Sequence, residues 1–287
     1  MPRHNQLPFY EPLEDGPIAI AHRCNSIETA QNVAQILKSY GLPLYGEVDV
    51  IASDDDVLMA CHGATFPVDT HGRPQITTRE LQRMTADEIG RLDIENAKLD
   101  ELLSAIPGMR YFVHVKTERA AELLPELLTC TGSFERVCVG AMTQRAALQL
   151  FAENVEQPNA MTMDLWSSVP IFLNYLRALA SVRPTKASSI VQATQVHFHD
   201  ASSRGYDVNG WIAHQAITPP MVRFLNNCLG VPVFTHITHP HDPSEKQVQK
   251  HLNKGLDGIM GDGPGLETIA RVVSQRRQEL RQSDSGI

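Results

Sequence analysis

The sequence predicts an α/β chain folded as a (β/α)8 TIM barrel, and two patterns carry that expectation. Eight short apolar runs of β-like composition alternate with amphipathic stretches along the 287 residues. Alternation of that kind calls for a parallel sheet with helices packed on its outer face. Histidines also recur where the runs end, at the rim where the loops after barrel strands gather. An open, doubly wound sheet is the alternative arrangement of the same elements. A single domain over 1–287 accommodates them, with a longer insertion at about 63–108, because barrels of about 200–250 residues fold as one unit.

The first run, 18–21, ends at His22-Arg23 and leads into a helical pattern over 28–39 that Gly41 closes. The second, 44–50, carries Glu47-Val48-Asp49, and the turn-forming Asp54-Asp55-Asp56 precedes His62. Within the insertion, helical patterns cover 79–92 and 98–106. A third run over 111–115 has His114 near its end and precedes a helix over 118–129 with Gly132 beyond it. The fourth run, 136–141, is followed by a helix over 144–154, and the fifth run covers 160–163. The run 190–198 is assigned as the sixth strand, ending at His197 and His199, and a helix over 219–229 stops at Gly230. The seventh, 231–237, contains His236, with His239 and His241 just after it. A helix over 244–253, Gly255, an eighth run at 258–260 and a last helix over 265–278 complete the chain. Glycines past helix ends act as stop signals because they accept the left-handed conformation there.

Composition narrows the function. A formal net charge of −8 argues against nucleic acid as a partner. No apolar run approaches the ~20 residues of a membrane span, and Met1-Pro2-Arg3-His4-Asn5-Gln6 opens no signal-peptide core. A cytoplasmic location is therefore expected. Five cysteines without a Cys-x-x-Cys do not form a disulfide framework or zinc ribbon. Cys130, Cys138 and Cys228 sit in apolar surroundings and are expected as buried small hydrophobes. Cys24 and Cys61 adjoin candidate catalytic groups; a disulfide or a reactive thiolate is weighed against a free packed thiol, and the packed thiol is preferred.

The chemistry concentrates on the first two strands. Side chains at i and i+2 of a strand point to the same side, so Glu47 and Asp49 offer oxygens to one point, as a hard divalent cation requires. Two histidines, His22 and His62, beside a carboxylate-bound metal supply acid–base cleavage of a phosphate ester. A lone Glu-x-Asp is ordinarily a solvated face. On the inward side of a barrel rim, buried carboxylates need a partner. Lys116 read alone is a solvated strand-end lysine. His197, His199 and Asp200, and the group His236, His239 and His241, are either a second metal site or pocket-lining residues; the latter is preferred. Trp166 and Trp211 are read as core or rim packing.

Taken in order, these residues resemble the glycerophosphodiester phosphodiesterase family, within the phospholipase-C-like barrel phosphodiesterases. The resemblance rests on His22-Arg23-Cys24, Glu47-Val48-Asp49, His62, His114-Val115-Lys116, Val233-Phe234-Thr235 and the stretch from Gly255-Leu256-Asp257-Gly258-Ile259 to Asp262-Gly263-Pro264, spread over 17–269. It implies His22 and His62 as the acid–base pair, Arg23 and Lys116 on the phosphate oxygens, and Glu47 and Asp49 as metal ligands. It further implies one divalent ion, Mg2+ or Ca2+, a small-molecule phosphodiester substrate and a place in lipid metabolism. The chain departs from the family in three places. Cys24 replaces a glycine, so the first loop is expected to differ. The stretch 25–29 only partly matches Pro-Glu-Asn-Thr, with Glu28 as the candidate acidic residue. His114 occupies the position of a third acidic ligand; either it ligates, with a shift toward transition metals, or waters complete the shell. Alternative functions are a barrel phosphodiesterase for a lysolipid or sugar-phosphate diester, and a noncatalytic barrel that binds phosphorylated ligands.

Overall fold

The computed structural model describes residues 7–64, 67, 74–141, 151, 154, 160–164, 210–213, 219–224, 226, 232–237 and 243–284. Its strands are β1 (Ile18–Ala21), β2 (Tyr45–Ala52), β3 (Leu58–Cys61), β4 (Asn96–Lys98), β5 (Arg110–Val115), β6 (Val137–Ala141), β7 (Ala160–Asp164), β8 (Gly210–Ala213), β9 (Val233–Ile237) and β10 (Gly258–Gly261). The described helices are α1 (Ile27–Ser39), α2 (Thr78–Leu81), α3 (Ala86–Gly90), α4 (Leu99–Ala105), α5 (Glu118–Thr131), α6 (Pro219–Phe224), α7 (Glu245–Leu252) and α8 (Gly263–Asp284).

Eight strands pair in parallel in the order β1-β10-β9-β8-β7-β6-β5-β2. Ala21 of β1 also pairs with Gly46 of β2, returning the order to its start as a barrel does. The predicted eightfold parallel alternation is therefore present. β3 and β4 lie outside this ring as an antiparallel extension of the upper half of β2. The turn between β2 and β3 is tied by Ser53, whose Oγ donates to Asp55 Oδ1 at 2.6 Å and accepts from Val57 N at 3.0 Å. The hairpin doubles the chain back and delivers His62, the residue after β3, to the level of Asp49.

Strand alternation sorts the core into two layers. Ile18, Ile20, Tyr45, Phe112, Cys138, Ala160, Phe234 and Met260 face one another in the barrel interior. Their neighbours Ala19, Ala21, Val48, Val50, Val113, Val115, Val139 and Ile259 face the helices. A 3₁₀ segment, Pro8–Asp15, closes the lower end with Phe9 and Tyr10. Phe9 packs edge-on against Tyr45 and Phe112 at 5.4 and 4.9 Å. Two residues further up each strand, the inward positions turn polar: Tyr45 gives way to Glu47 and Asp49, Phe112 to His114, Phe234 to His236.

Four expectations are corrected. The sixth barrel position, between β7 and β9, is filled by Gly210–Ala213 and not by 190–198; Gly210-Trp211-Ile212-Ala213 is too short and mixed to stand out by composition. The run 190–198 itself lies outside the described residues, as do Cys228, Gly230, Trp166 and most of the predicted helix 144–154. The predicted helix 79–92 is two short helices, because Thr77 with Glu80 and Thr85 with Glu88 each build a capping box that starts a new helix. β3 and β4 are additional strands. Cys130 is exposed, since α5 buries Ala120, Ala121, Leu124 and Leu128 on its opposite side. Among the described residues no helix is long and apolar enough to cross a membrane.

Candidate active site

Glu47, Asp49 and His114 meet at the upper end of the barrel. They lie on neighbouring strands, with Asp49 opposite His114 in the β2–β5 register, and are 0, 2 and 7 % exposed. Ligand atoms from all three fall within 4.8 Å of one another. His114 Nδ1 stands 2.8 Å from Glu47 Oε1. Lys116 Nζ reaches Asp49 Oδ1 at 2.5 Å. Glu47 Oε1 and Asp49 Oδ2 are both buried with no aligned hydrogen-bond donor, a costly state for carboxylate oxygens that a bound cation relieves. The donor set of two carboxylates and one imidazole fits a divalent ion. Burial alone would raise the Glu47 carboxyl, but His114, His22 and Lys116 around it outweigh that and hold it ionised, well below the usual range.

His22 follows β1 on the same rim. Its Nδ1 pairs with Asp262 Oδ1 at 2.6 Å and its Nε2 faces Glu47 Oε2 at 3.7 Å. A carboxylate cannot donate, so Nδ1 carries a proton and Nε2 is directed to the site. The hydrogen bond from His22, with His22, His236 and Arg23 as nearby positive charge, holds Asp262 below its ordinary value against partial burial. His236 lies against His22 with ring centroids 4.0 Å apart and planes tilted by 53°.

Arg23 adopts φ +59°, which turns its backbone N–H onto Glu47 Oε2 at 2.9 Å and its exposed guanidinium toward His62. The left-handed residue in this loop is thus Arg23 and not Cys24. Cys24 is buried, its N–H bound to Glu47 O at 2.7 Å. Arg23 Nη2 lies 3.1 Å from His62 Nε2; guanidinium only donates, so that nitrogen holds a lone pair and the ring is neutral. Burial, aided by Arg23 and Lys116, lowers the His62 imidazole below its usual range despite the opposing pull of Asp49, whose Oδ2 is 3.8 Å away.

All seven singled-out residues, His22, Arg23, Glu47, Asp49, His62, His114 and Lys116, therefore lie on one rim in mutual contact. Glu28 does not join them; it is exposed in the first turn of α1. Cys24 and Cys61 are free thiols, and burial pushes both upward, Cys61 to about 12, so neither is a thiolate. His197, His199, Asp200, His239 and His241 fall outside the described residues. Asn25 and Asp262 were not anticipated in the site. Asn25 is buried and its Oδ1 accepts from Asp49 N at 3.0 Å, fixing the strand that carries the carboxylates. Asp262 stands directly after β10, the strand beside β1; a carboxylate at that strand end was the available signal.

No family model matches the chain, and no curated protein matches it in sequence. Solved structures do match in fold. The chain folds like glycerophosphodiester phosphodiesterases. One such structure, named as a glycerophosphodiester phosphodiesterase of Galdieria sulphuraria, has a TM-score of 0.61 at 19% identity over 88% of this chain and 97% of the other. A phosphodiesterase of Oleispira antarctica, solved with the product sn-glycerol-3-phosphate, gives 0.56 at 15% over 90% and 96%. The glycerophosphodiester phosphodiesterase of Thermotoga maritima gives 0.53 at 12% over 91% and 98%.

Proposed function

We propose that the chain is a metal-dependent phosphodiester hydrolase that cleaves a glycerophosphodiester to glycerol phosphate and an alcohol. One observation carries the reading: two buried carboxylates, each with an oxygen that lacks an aligned hydrogen bond, stand among His22, His62, His114 and Lys116 on one barrel rim. Glu47, Asp49 and His114 would hold one divalent ion, Mg2+ or Ca2+ by resemblance, or a transition metal favoured by the imidazole of His114. When bound, such an ion polarises the phosphoryl group and neutralises developing charge. Arg23 grips the anionic diester in a fork and Lys116 adds a point charge. Engagement of Arg23 by phosphate releases His62 Nε2, which takes the proton of the attacking water or substrate hydroxyl. His22, held at Nδ1 by Asp262, delivers a proton from Nε2 to the leaving alkoxide.

The substrate class rests on the fold likeness to glycerophosphodiester phosphodiesterases, one of them holding sn-glycerol-3-phosphate. The test is hydrolysis of glycerophosphodiesters, with lysolipid and sugar-phosphate diesters alongside, after metal stripping and re-addition of Mg2+, Ca2+ or Mn2+. Turnover that returns with metal and disappears in His22→Ala is expected. Turnover insensitive to both, accompanied by tight phosphate-ligand binding, would instead establish a noncatalytic binding barrel, the reading favoured by a histidine at 114 where the family has a carboxylate.

A further inference from the structure

We infer that His22, His236 and Asp262 form a second cation site, suited to a transition metal of the zinc class and separate from the Glu47, Asp49 and His114 group. The three residues come from adjacent strand ends, because β1 pairs with β10 and β10 with β9. A ligand atom from each lies within 4.8 Å of the others. The two imidazoles approach at 4.0 Å and 53°, tilted rather than stacked flat, and Asp262 Oδ1 already sits 2.6 Å from His22 Nδ1. Ligand atoms about 2.1 Å from one tetrahedral ion stand about 3.4 Å apart, so the His22–Asp262 contact opens by about 0.8 Å when an ion takes the place of the shared proton. Two imidazoles and one carboxylate form a borderline-soft set that prefers zinc or cobalt to magnesium, softer than the neighbouring set of two carboxylates and one imidazole. Asp262 is 45 % exposed and His22 14 %, so the site opens to solvent and leaves a fourth position for water.

Binding at His22 Nδ1 displaces the proton shared with Asp262: from the imidazolium it leaves to solvent and Nε2–H remains, and from the Nδ1–H tautomer Nε2 takes up a proton in its place. A neutral imidazole bound through Nδ1 keeps its remaining proton on Nε2 and has no lone pair to accept another. If His22 is the acid–base group proposed above, occupation of this site stops the proton cycle; that consequence rests on the proposed function, whereas the site does not.

Calorimetry with Zn2+ in excess Mg2+ tests the site on wild-type chain, His236→Ala and His236→Gln. The glutamine variant preserves volume at this buried position, and thermal melting verifies that each variant folds. One Zn2+ equivalent is expected in wild type, weakened by more than about tenfold in both variants. Co2+ absorption in the same samples should show a tetrahedral band that depends on His236. Zn2+ binding unchanged in the folded variants would overturn the site, leaving His236 as packing for a His22–Asp262 pair. Diester hydrolysis separates the two claims. Zn2+ should inhibit wild type more steeply than either variant. No hydrolysis by any form, with His236-dependent Zn2+ binding intact, would remove the proposed function and keep the site.

Discussion

Asp49 shares its carboxylate between Lys116 and His62, while Glu47 shares its own among His114, His22 and the Arg23 backbone. The anionic pair is therefore only partly neutralised by the chain itself. A bound cation should stabilise the fold by linkage: at about 100-fold over its Kd, Mn2+ or Mg2+ raises stability by about 2.7 kcal/mol. Differential scanning of metal-free protein should show this rise in wild type and lose most of it in Glu47→Gln, with the His236 variants still responding. His62 sets a second prediction. Its imidazole is lowered by burial and by Arg23 and Lys116, so the acidic limb of kcat/KM against pH should lie below the usual imidazole value. Removing a neighbouring cation favours the imidazolium, so Arg23→Gln should move that limb upward as well as raise KM. A limb that stays put would remove His62 as the proton acceptor. These residues were legible in the sequence because a strand's two-residue period converts Glu47-Val48-Asp49 into a shared direction. His236 was legible as a rim residue, but its grouping with His22 and Asp262 was not, because that depends on β9 and β10 lying beside β1, a neighbour relation made only when the sheet closes on itself.

At the level of elements, the barrel's lower end depends on one helix side chain. Arg277 of α8 donates from Nη1 to the carbonyls of Pro12, Gly16 and Pro17 at 2.9–3.2 Å, and from Nη2 to Asp15 Oδ2 at 3.1 Å. This guanidinium pins the 3₁₀ segment that presses Phe9 and Tyr10 into the barrel. Arg277→Met keeps the aliphatic stem but strands three carbonyls, and should cost about 2–4 kcal/mol in urea unfolding; Lys should rescue little, lacking the fork. α7 carries a pH-sensitive element. His251 is buried with Nδ1 lacking a hydrogen-bond partner, and burial with Lys254 and Lys250 lowers its imidazole to about 4. The unfolded chain then binds a proton near pH 6.5 that the folded chain refuses until about pH 4. Its contribution is thus intact above pH 6.5 and falls as the pH drops through that window. His251→Gln should flatten the acid loss of melting temperature there, by an amount worth about 1–2 kcal/mol since the ring is partly solvated. The predicted helical patterns over 28–39, 118–129 and 244–253 begin within a residue of α1, α5 and α7, which Ser26, Thr117 and Ser244 cap. Thr77 and Thr85 cap in the same way, and each starts its own helix, so the single pattern predicted over 79–92 divides into α2 and α3.

Across the whole molecule, the ring of eight strands closes at its narrowest contact, where Ala21 meets Gly46. The number of strands was readable from alternating composition, but the identity of the sixth was not. A four-residue strand held between two others draws its conformation from ladder partners on both edges, so its own residues need little β-propensity. The β2 residue at that contact is a glycine because of the side chains beside it. A Cβ on Gly46 would stand 2.6 Å from Met109 Cε and 2.9 Å from Cys24 Sγ, both closer than side chains tolerate. Gly46→Ala should therefore push Met109 and the Cys24 loop away from β2 and destabilise the fold by about 1–3 kcal/mol. Met109 offers the flexible end of its side chain, so Met109→Ala should recover part of that loss, and the double-mutant cycle in urea should show coupling between them. Cys24 is less accommodating, because its N–H bonds Glu47 O and its neighbour Arg23 bonds the Glu47 carboxylate. Displacement there reaches the site directly. The metal-dependent rise in melting temperature should fall in Gly46→Ala even where Met109→Ala has restored stability. If stability and the metal response recovered together, the contact of Gly46 with Met109 and Cys24 would be packing alone, and the cation-binding geometry would be independent of it.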